Sequence, residues 1–447
     1  MARTRQRRLL ALAGAATLTL GMAACGSSDE TATDKLDTPE CAEFVDYKDI
    51  AGKTVTIYAS IRDAEADKLE QSWAKFEECT GVTIEYEGSG EFEAQLKVRV
   101  DGGEAPDIAF VPQPGLVTSF AKTNKLKPAG ADTKALAEKN FTAGSLQYGT
   151  VDGTFYGAPL GSNVKSFVWY SPKMFAEKGW KVPTTWAEMV TLSDTIAASG
   201  TKPWCAGIES GVATGWPATD WIEDIVLRDQ GAEVYDQWVN HTIPFNDPKI
   251  ISATDRAGSI LKNDKYVNGG YGDVKSISTT SFQEGGLPII AGKCALHRQA
   301  SFYANQWPAG TTIAENGDVY AFYLPAVDPA KGKPVLVGGE YVVGFADRPE
   351  VQKVQTYLAS GHYSNSRAKL GNWLSANKEL DIANVESPID KESVKILQDQ
   401  SAVVRYDGSD VMPAAVGAGT FWKGMTDWIN GKDTKSTLDF IEQSWPK

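Results

Sequence analysis

The chain has 447 residues, 42% of them hydrophobic and 10% aromatic, enough for a large core and for two globular lobes. Its 57 Asp and Glu outweigh 44 Lys and Arg, giving a net charge of −13, which argues against nucleic acid or an anionic lipid surface as partner. Composition says nothing positive about a ligand.

Residues 1–24 read as an export signal, because Arg3, Arg5, Arg7 and Arg8 precede an apolar run from Leu9 to Leu20. That run is too short to span a bilayer. Met22, Ala23 and Ala24 stand directly ahead of Cys25, and small residues there let a lipoprotein signal peptidase reach the bond before a lipidated thiol. Cys25 is therefore expected to be the lipidated first residue of the mature chain, anchoring it to the outer face of the cell membrane through at least two acyl chains. Residues 25–40, rich in Ser, Thr, Asp and Glu, read as a flexible tether. Cys41, Cys79, Cys205 and Cys294 then form an even set in an oxidising compartment, which predicts two disulfides. Three pairings are open, and joining Cys41 to Cys79 and Cys205 to Cys294 keeps each bridge within one lobe.

From Thr54 the pattern alternates. Residues 54–60 are β-rich, 64–79 have apolar residues at helical spacing, 82–86 alternate, 92–100 return to helical spacing, 107–111 are a short apolar run and 116–121 are helical. Such an order predicts an α/β lobe with a mostly parallel sheet. Ligands of these sheets lie beyond the carboxyl ends of the strands, here the loops 60–63, 88–91 and 111–115. Asp152-Gly153 reads as a hairpin turn, and residues 156–170 carry the first crossing between lobes. Thr185 is placed to cap a helix over 186–198.

Around Pro217, which suits the first turn of a helix, Trp221, Ile222, Ile225 and Val226 make one apolar face, so Trp221 is expected in a core. Trp216 precedes that face in a Gly-rich loop, where it is either a site residue or packing. Residues 292–302 are a β-prone run that ends in small and polar side chains. Arg298 and Gln299 there are suited to bidentate contacts with hydroxyls and Phe302 offers a ring face, while the competing role for Arg298 is an internal salt bridge. Gly338-Gly339 marks a crossing back to the first lobe, with a third near 382–391. Residues 405–413 form a polar loop before a helix that opens with Phe421 and Trp422; the run from Asp407 to Asp410 also suits a plain turn or a weak calcium loop, although it lacks the other ligands of an EF-hand. Every tryptophan but Trp73 falls at or after Trp169, so the second lobe carries most of the large aromatics that sugar sites use as platforms.

No cofactor, metal site or nucleophile is expected. Gly52-Lys53-Thr54 precedes a strand where a P-loop would follow one, no G-x-S-x-G elbow occurs, and His241, His297 and His362 lack zinc-ligand spacing.

The segments 106–115, 207–221, 296–302 and 407–413 resemble the extracellular solute-binding proteins of ABC importers, the family that includes maltose-binding proteins, and most closely its α-glucoside-binding branch. This resemblance spans nearly the whole mature chain. It implies a two-lobe periplasmic-binding-protein-like fold of type II, each lobe a mixed, mostly parallel sheet flanked by helices, joined by a hinge of several crossovers. One lobe would take residues 41–162 with 335–385, the other 163–334 with 386–447. A maltose- or trehalose-like α-glucoside would lie between them, delivered by a monomeric receptor to the importer's membrane permease subunits. Arg62, Glu91 and Gln113 would line the first lobe's side, and Phe302 and Trp422 match places where maltose binders stack aromatics, although Phe302 is smaller than the tryptophan often found there. Asn163, Glu340 and Asp407 complete the implied ligand-binding set, while Pro114 replaces an acidic residue of some maltose binders. The competing classes are a receptor for a different sugar or polyol, and an anchored glycoside hydrolase, which needs two carboxylates at a set separation.

Overall fold

The computed structural model describes residues 35–446. The export signal, Cys25 and the tether up to residue 34 lie outside them. In chain order the first half contributes β1 (Thr54–Ala59), α1 (Asp63–Thr80), β2 (Thr83–Gly88), α2 (Phe92–Gly102), β3 (Ile108–Val111), α3 (Pro114–Lys122), β4 (Asn163–Val164), β5 (Phe167–Tyr170), α4 (Trp186–Ala198), β6 (Lys202–Trp204) and α5 (Trp216–Asp229). The second half adds β7 (Cys294–Arg298), β8 (Tyr320–Tyr323), β9 (Lys333–Gly338), β10 (Tyr341–Gly344), β11 (Ala402–Tyr406) and α6 (Trp422–Ile429). Among the described residues no helix is long and apolar enough to cross a membrane.

The first sheet has the order β10-β3-β1-β2, with β1 parallel to both β2 and β3 and β10 antiparallel on the edge. Helix α1 forms because Leu69, Trp73, Phe76 and Cys79 recur at helical spacing and pack on this sheet, where Phe76 stacks on Tyr357 at 3.9 Å. Lys35 to Glu40 do not belong to a free linker as the composition suggested. Leu36 is the one large apolar side chain of that segment and buries with Phe44 and Tyr47 in the first core, and the Cys41–Cys79 bond ties the segment to α1.

The second sheet, β8-β5-β7-β6, departs from the mostly parallel expectation: β5 is antiparallel to both β8 and β7, and only β6 and β7 run parallel. The cause is direction of travel. Strand β5 leaves the interlobe crossing at Asn163 and runs outward, whereas β6 and β7 run back toward it, ending near Ser210 and Phe302. Cys205 and Cys294 bridge the loop after β6 to the start of β7, with Cα atoms 5.8 Å apart, so both disulfides pair within a lobe. Thr185 caps α4 with a capping box closed by Glu188. Trp221 is 4% exposed in the second core, edge-on to Trp204 at 5.2 Å.

A small third sheet, β11-β9-β4, sits where the chain crosses between the lobes. Strand β9 belongs to it and β10 to the first sheet, so Gly339 and Glu340 are one crossover. Gly339 lies directly against the neighbouring crossover; a Cβ there would come within 2.2 Å of the Gly161 carbonyl oxygen, and only glycine permits that approach. Farther on, Tyr363 packs in the first core while Ile389 and Ile396 join the second.

Candidate functional site

A cleft opens between the two large sheets. Its first wall is built at the carboxyl ends of β1, β2 and β3, from Ser60 to Asp63, Ser89, Gly90, Glu93, Pro112 and Gln113, which are the loops parallel-sheet logic selects. The second wall is aromatic. Trp216 opens α5 and meets Phe282 at 5.1 Å and Phe302 at 6.1 Å, with all three rings half-buried at the cleft. Crossover residues close the floor: Asn163, Lys165, Glu340, Asp407 and Asp410, with Trp422 beside them.

Of the residues expected from sequence, Arg62, Gln113, Asn163, Trp216, Phe302, Glu340, Asp407 and Trp422 line this cleft. Three do not. Glu91 stands at the N-cap position of α2 without a capping hydrogen bond from its side chain, and it is exposed, facing Gly211 of the opposite lobe, where a Cβ would fall 2.4 Å from Glu91 Oε1. Positions two apart on a helix face different ways, so Glu93 turns inward and accepts a hydrogen bond from Gln113 Nε2 at 3.0 Å. Arg298 is the internal ion pair: its guanidinium donates to Asp220 at 3.1 Å and to Asp224 at 3.0 Å, fully buried. Asp220 and Asp224 stand four apart on one face of α5, turned onto the sheet, and buried carboxylates there require cations. Gln299 is buried too and accepts from the Ala300 backbone N–H at 2.8 Å.

Sequence reasoning missed Lys165, Glu65, Glu93, Asp410 and Phe282. A lysine inside the β-prone run 163–170 and the second aspartate of 407–410 were legible signals; Phe282 stands in a polar stretch with none. Lys165 donates to Asp407 and, at 3.1 Å, to Asp220, with Asp410 at 3.9 Å. The run from Asp407 is a helical turn, since the Asp407 carboxylate accepts from the Asp410 N–H at 3.0 Å. Asp220, Glu223 and Asp407 bring carboxylate oxygens within 4.8 Å of one another. Those oxygens already have partners, because Lys165 and Arg298 serve the aspartates and the N–H groups of Gly408 and Ser409 donate to Glu223 at 2.8 and 3.0 Å. The trio is part of the floor's internal network.

Burial dominates the acid–base behaviour of the cleft. It pushes Asp220 up to about 7 despite Lys165 and Arg298, and it pushes Glu65, with Glu340 adding to the effect, to about 7. Burial also raises Glu93 and Glu340, and together with the Asp407 charge it holds Asp410 well above the usual range. Asp407 is buried as well, but Lys165 prevails and keeps its carboxyl well below the usual range. A raised carboxyl contributes stability that is complete below its unfolded pKa of about 4 and is lost as pH rises through its folded value. Asp407 has the opposite sign and loses its contribution as pH falls below about 4; His297, which burial lowers to about 4, loses its own as pH falls below about 6.5. The raised carboxyls outnumber that histidine. The urea midpoint is therefore expected to rise from about pH 8 to about pH 5 and to fall below about pH 4, and a midpoint that instead climbs steadily between pH 5 and pH 8 would contradict these assignments.

Chemically, one wall offers flat apolar rings and the other offers carboxyl, amide and guanidinium groups. That combination suits a ring with C–H faces and a rim of hydroxyls.

The family model described as bacterial extracellular solute-binding protein matches residues 62–360. The osmoprotective compounds-binding protein GgtB of Synechocystis sp. is 42% identical over 398 residues, 88% of this chain and 93% of that protein. The alpha-glucosides-binding periplasmic protein AglE of Rhizobium meliloti is 36% identical over 414 residues, 90% of this chain and 89% of that one. Among solved structures, maltose-bound MalE3 of T. maritima superposes with a TM-score of 0.67 at 16% identity, covering 88% of this chain and 98% of its own. The bacterial solute receptor AcbH, with an exclusive preference for β-D-galactopyranose, superposes with a TM-score of 0.74 at 19% identity, covering 88% and 97%. At such identities the structures speak for the fold alone.

Proposed function

Since this chain belongs to the bacterial extracellular solute-binding protein family, we propose that it captures a sugar, most closely an α-glucoside, in the interlobe cleft and delivers it to the membrane permease of an ABC importer. The observation that carries this is the facing pair of walls: Trp216, Phe282 and Phe302 on one side, Arg62, Glu93 and Gln113 on the other. A stacked sugar ring presents its hydroxyl rim to those polar groups, and each wall belongs to a different sheet, so the ligand holds the lobes together. The α-glucoside assignment draws on the motif resemblance and on the name of the R. meliloti relative. Anchoring through Cys25, a monomeric state, and lobes at 41–162 with 335–385 and 163–334 with 386–447 complete the proposal. The Synechocystis relative favours a second reading, a small osmoprotective solute in place of a nutrient sugar.

A thermal-shift panel of maltose, trehalose, galactosides and polyols tests it. A cognate sugar at 100 times its dissociation constant adds about 2.7 kcal/mol to folding stability and raises the melting temperature by several degrees. Shifts with polyols alone would move the protein to the second reading. Hydrolysis of a bound sugar on long incubation would make it an enzyme, whereas recovery of the intact sugar keeps it a receptor.

A further inference from the structure

Building on the sugar-receptor reading, we propose that the ligand is a saccharide carrying a protonated amine, held between Glu93 and Gln113 of the first lobe and Asp410 of the second. The cleft is lined by Asp63, Glu65, Glu93, Glu340, Asp407 and Asp410, against the two cations Arg62 and Lys165. Lys165 is committed to Asp407 and Asp220, and it stands at 3.9 Å from Asp410. Glu93 is met by an amide and not by a cation. Carboxyl groups thus outnumber cations in a partly enclosed space to which both lobes contribute, and burial, Asp407 and also Glu93 disfavour charge on Asp410 unless a cation comes to meet it.

Gln113 supplies an independent observation. It is 4% exposed and lines the cleft, and its Nε2 is spent on Glu93, which fixes the amide and leaves Oε1 buried with no partner. Glu93, Gln113 and Asp410 all line the cleft, and beside a bound cation the two carboxyls ionise and join Gln113 Oε1 as acceptors. A hydroxyl brings one donor and no charge. An ammonium brings three donors, one for each acceptor, and a positive charge that offsets the carboxylates. A saccharide bearing phosphate or carboxylate meets repulsion in the same place.

The test is isothermal titration of the mature protein at neutral pH with maltose, trehalose and the full set of mono-aminodeoxy analogues of each. The expected result is that at least one analogue binds about ten-fold tighter than its parent, and that Glu93→Gln and Asp410→Asn each bring the amine-to-parent ratio near one. Because the readout is a ratio within each variant, a general loss of affinity does not mimic it; if Asp410→Asn does not fold, Glu93→Gln decides alone. Analogues that bind no tighter than their parents, or a preference that survives both variants, overturn the proposal while leaving the sugar reading intact. A parent whose affinity rises with calcium ions and not with an amine overturns it in favour of a metal. If neither parents nor analogues bind, the sugar reading falls and this inference with it.

Discussion

Arg298→Ala is expected to destabilise the protein by about 3–5 kcal/mol, seen as a lower urea midpoint with an unchanged slope. The guanidinium is fully buried and joins Asp220 to Asp224, two carboxylates of α5 that have no access to water. Deleting it leaves their charge less compensated in low dielectric, and a buried pair that loses one member costs far more than the intact pair contributes. Asp224 keeps Arg228 and Asp220 keeps Lys165, which places the effect toward the lower end of that range. Burial already raises Asp220 to about 7, so protonation relieves part of the defect, and the loss is expected to be larger at pH 8 than at pH 5. Arg298→Lys should recover only part of the stability, since an ammonium cannot span both carboxylates as the planar fork does. A variant with normal stability and a specific loss of sugar binding would return Arg298 to the role the strand pattern first suggested.

Trp216→Ala and Trp221→Ala, five residues apart on α5, are expected to fail in different ways. Trp216 is half-buried at the cleft with Phe282 and Phe302, so its loss should weaken sugar binding by about 1–3 kcal/mol, roughly a 5- to 150-fold rise in Kd, with little change in melting temperature. Trp221 is 4% exposed against Trp204, and its removal leaves a cavity expected to cost about 3–5 kcal/mol of stability. Trp422→Ala should show both defects, because that ring lines the cleft yet is only 3% exposed. Titration and melts on the three variants separate platform from scaffold. Trp216→Ala binding the sugar normally would move the stacking contact to Phe302.

Much of the site could be read because local chemistry decided it. The loops after β1, β2 and β3 carry Arg62 and Gln113 to the cleft for the same reason they could be predicted: parallel strands end on one side. Phe302 follows β7 just as a strand hands residues to a cleft. The errors are equally local in origin. Glu91 and Glu93 are both acidic and two positions apart, and nothing in their spacing says which one the first turn of α2 turns inward. Arg298 has the composition of a ligand contact, and its actual partners lie 74 and 78 positions away on α5.

The residues alone determined the alternation of strands and helices in the first lobe, the core position of Trp221, the capping of α4 by Thr185, and an even cysteine set whose pairing within lobes the fold reproduces. These follow from periodicity, caps and counting, which act over a few residues or over composition. Only the tertiary structure decided that β5 runs against its neighbours, that Lys165 and Arg298 turn into an internal network, and that Glu93, Gln113 and Asp410 line one cleft. Each depends on how elements far apart in sequence dock. A side chain's face is set by its own strand or helix, but what it meets there is set by the partner the fold brings.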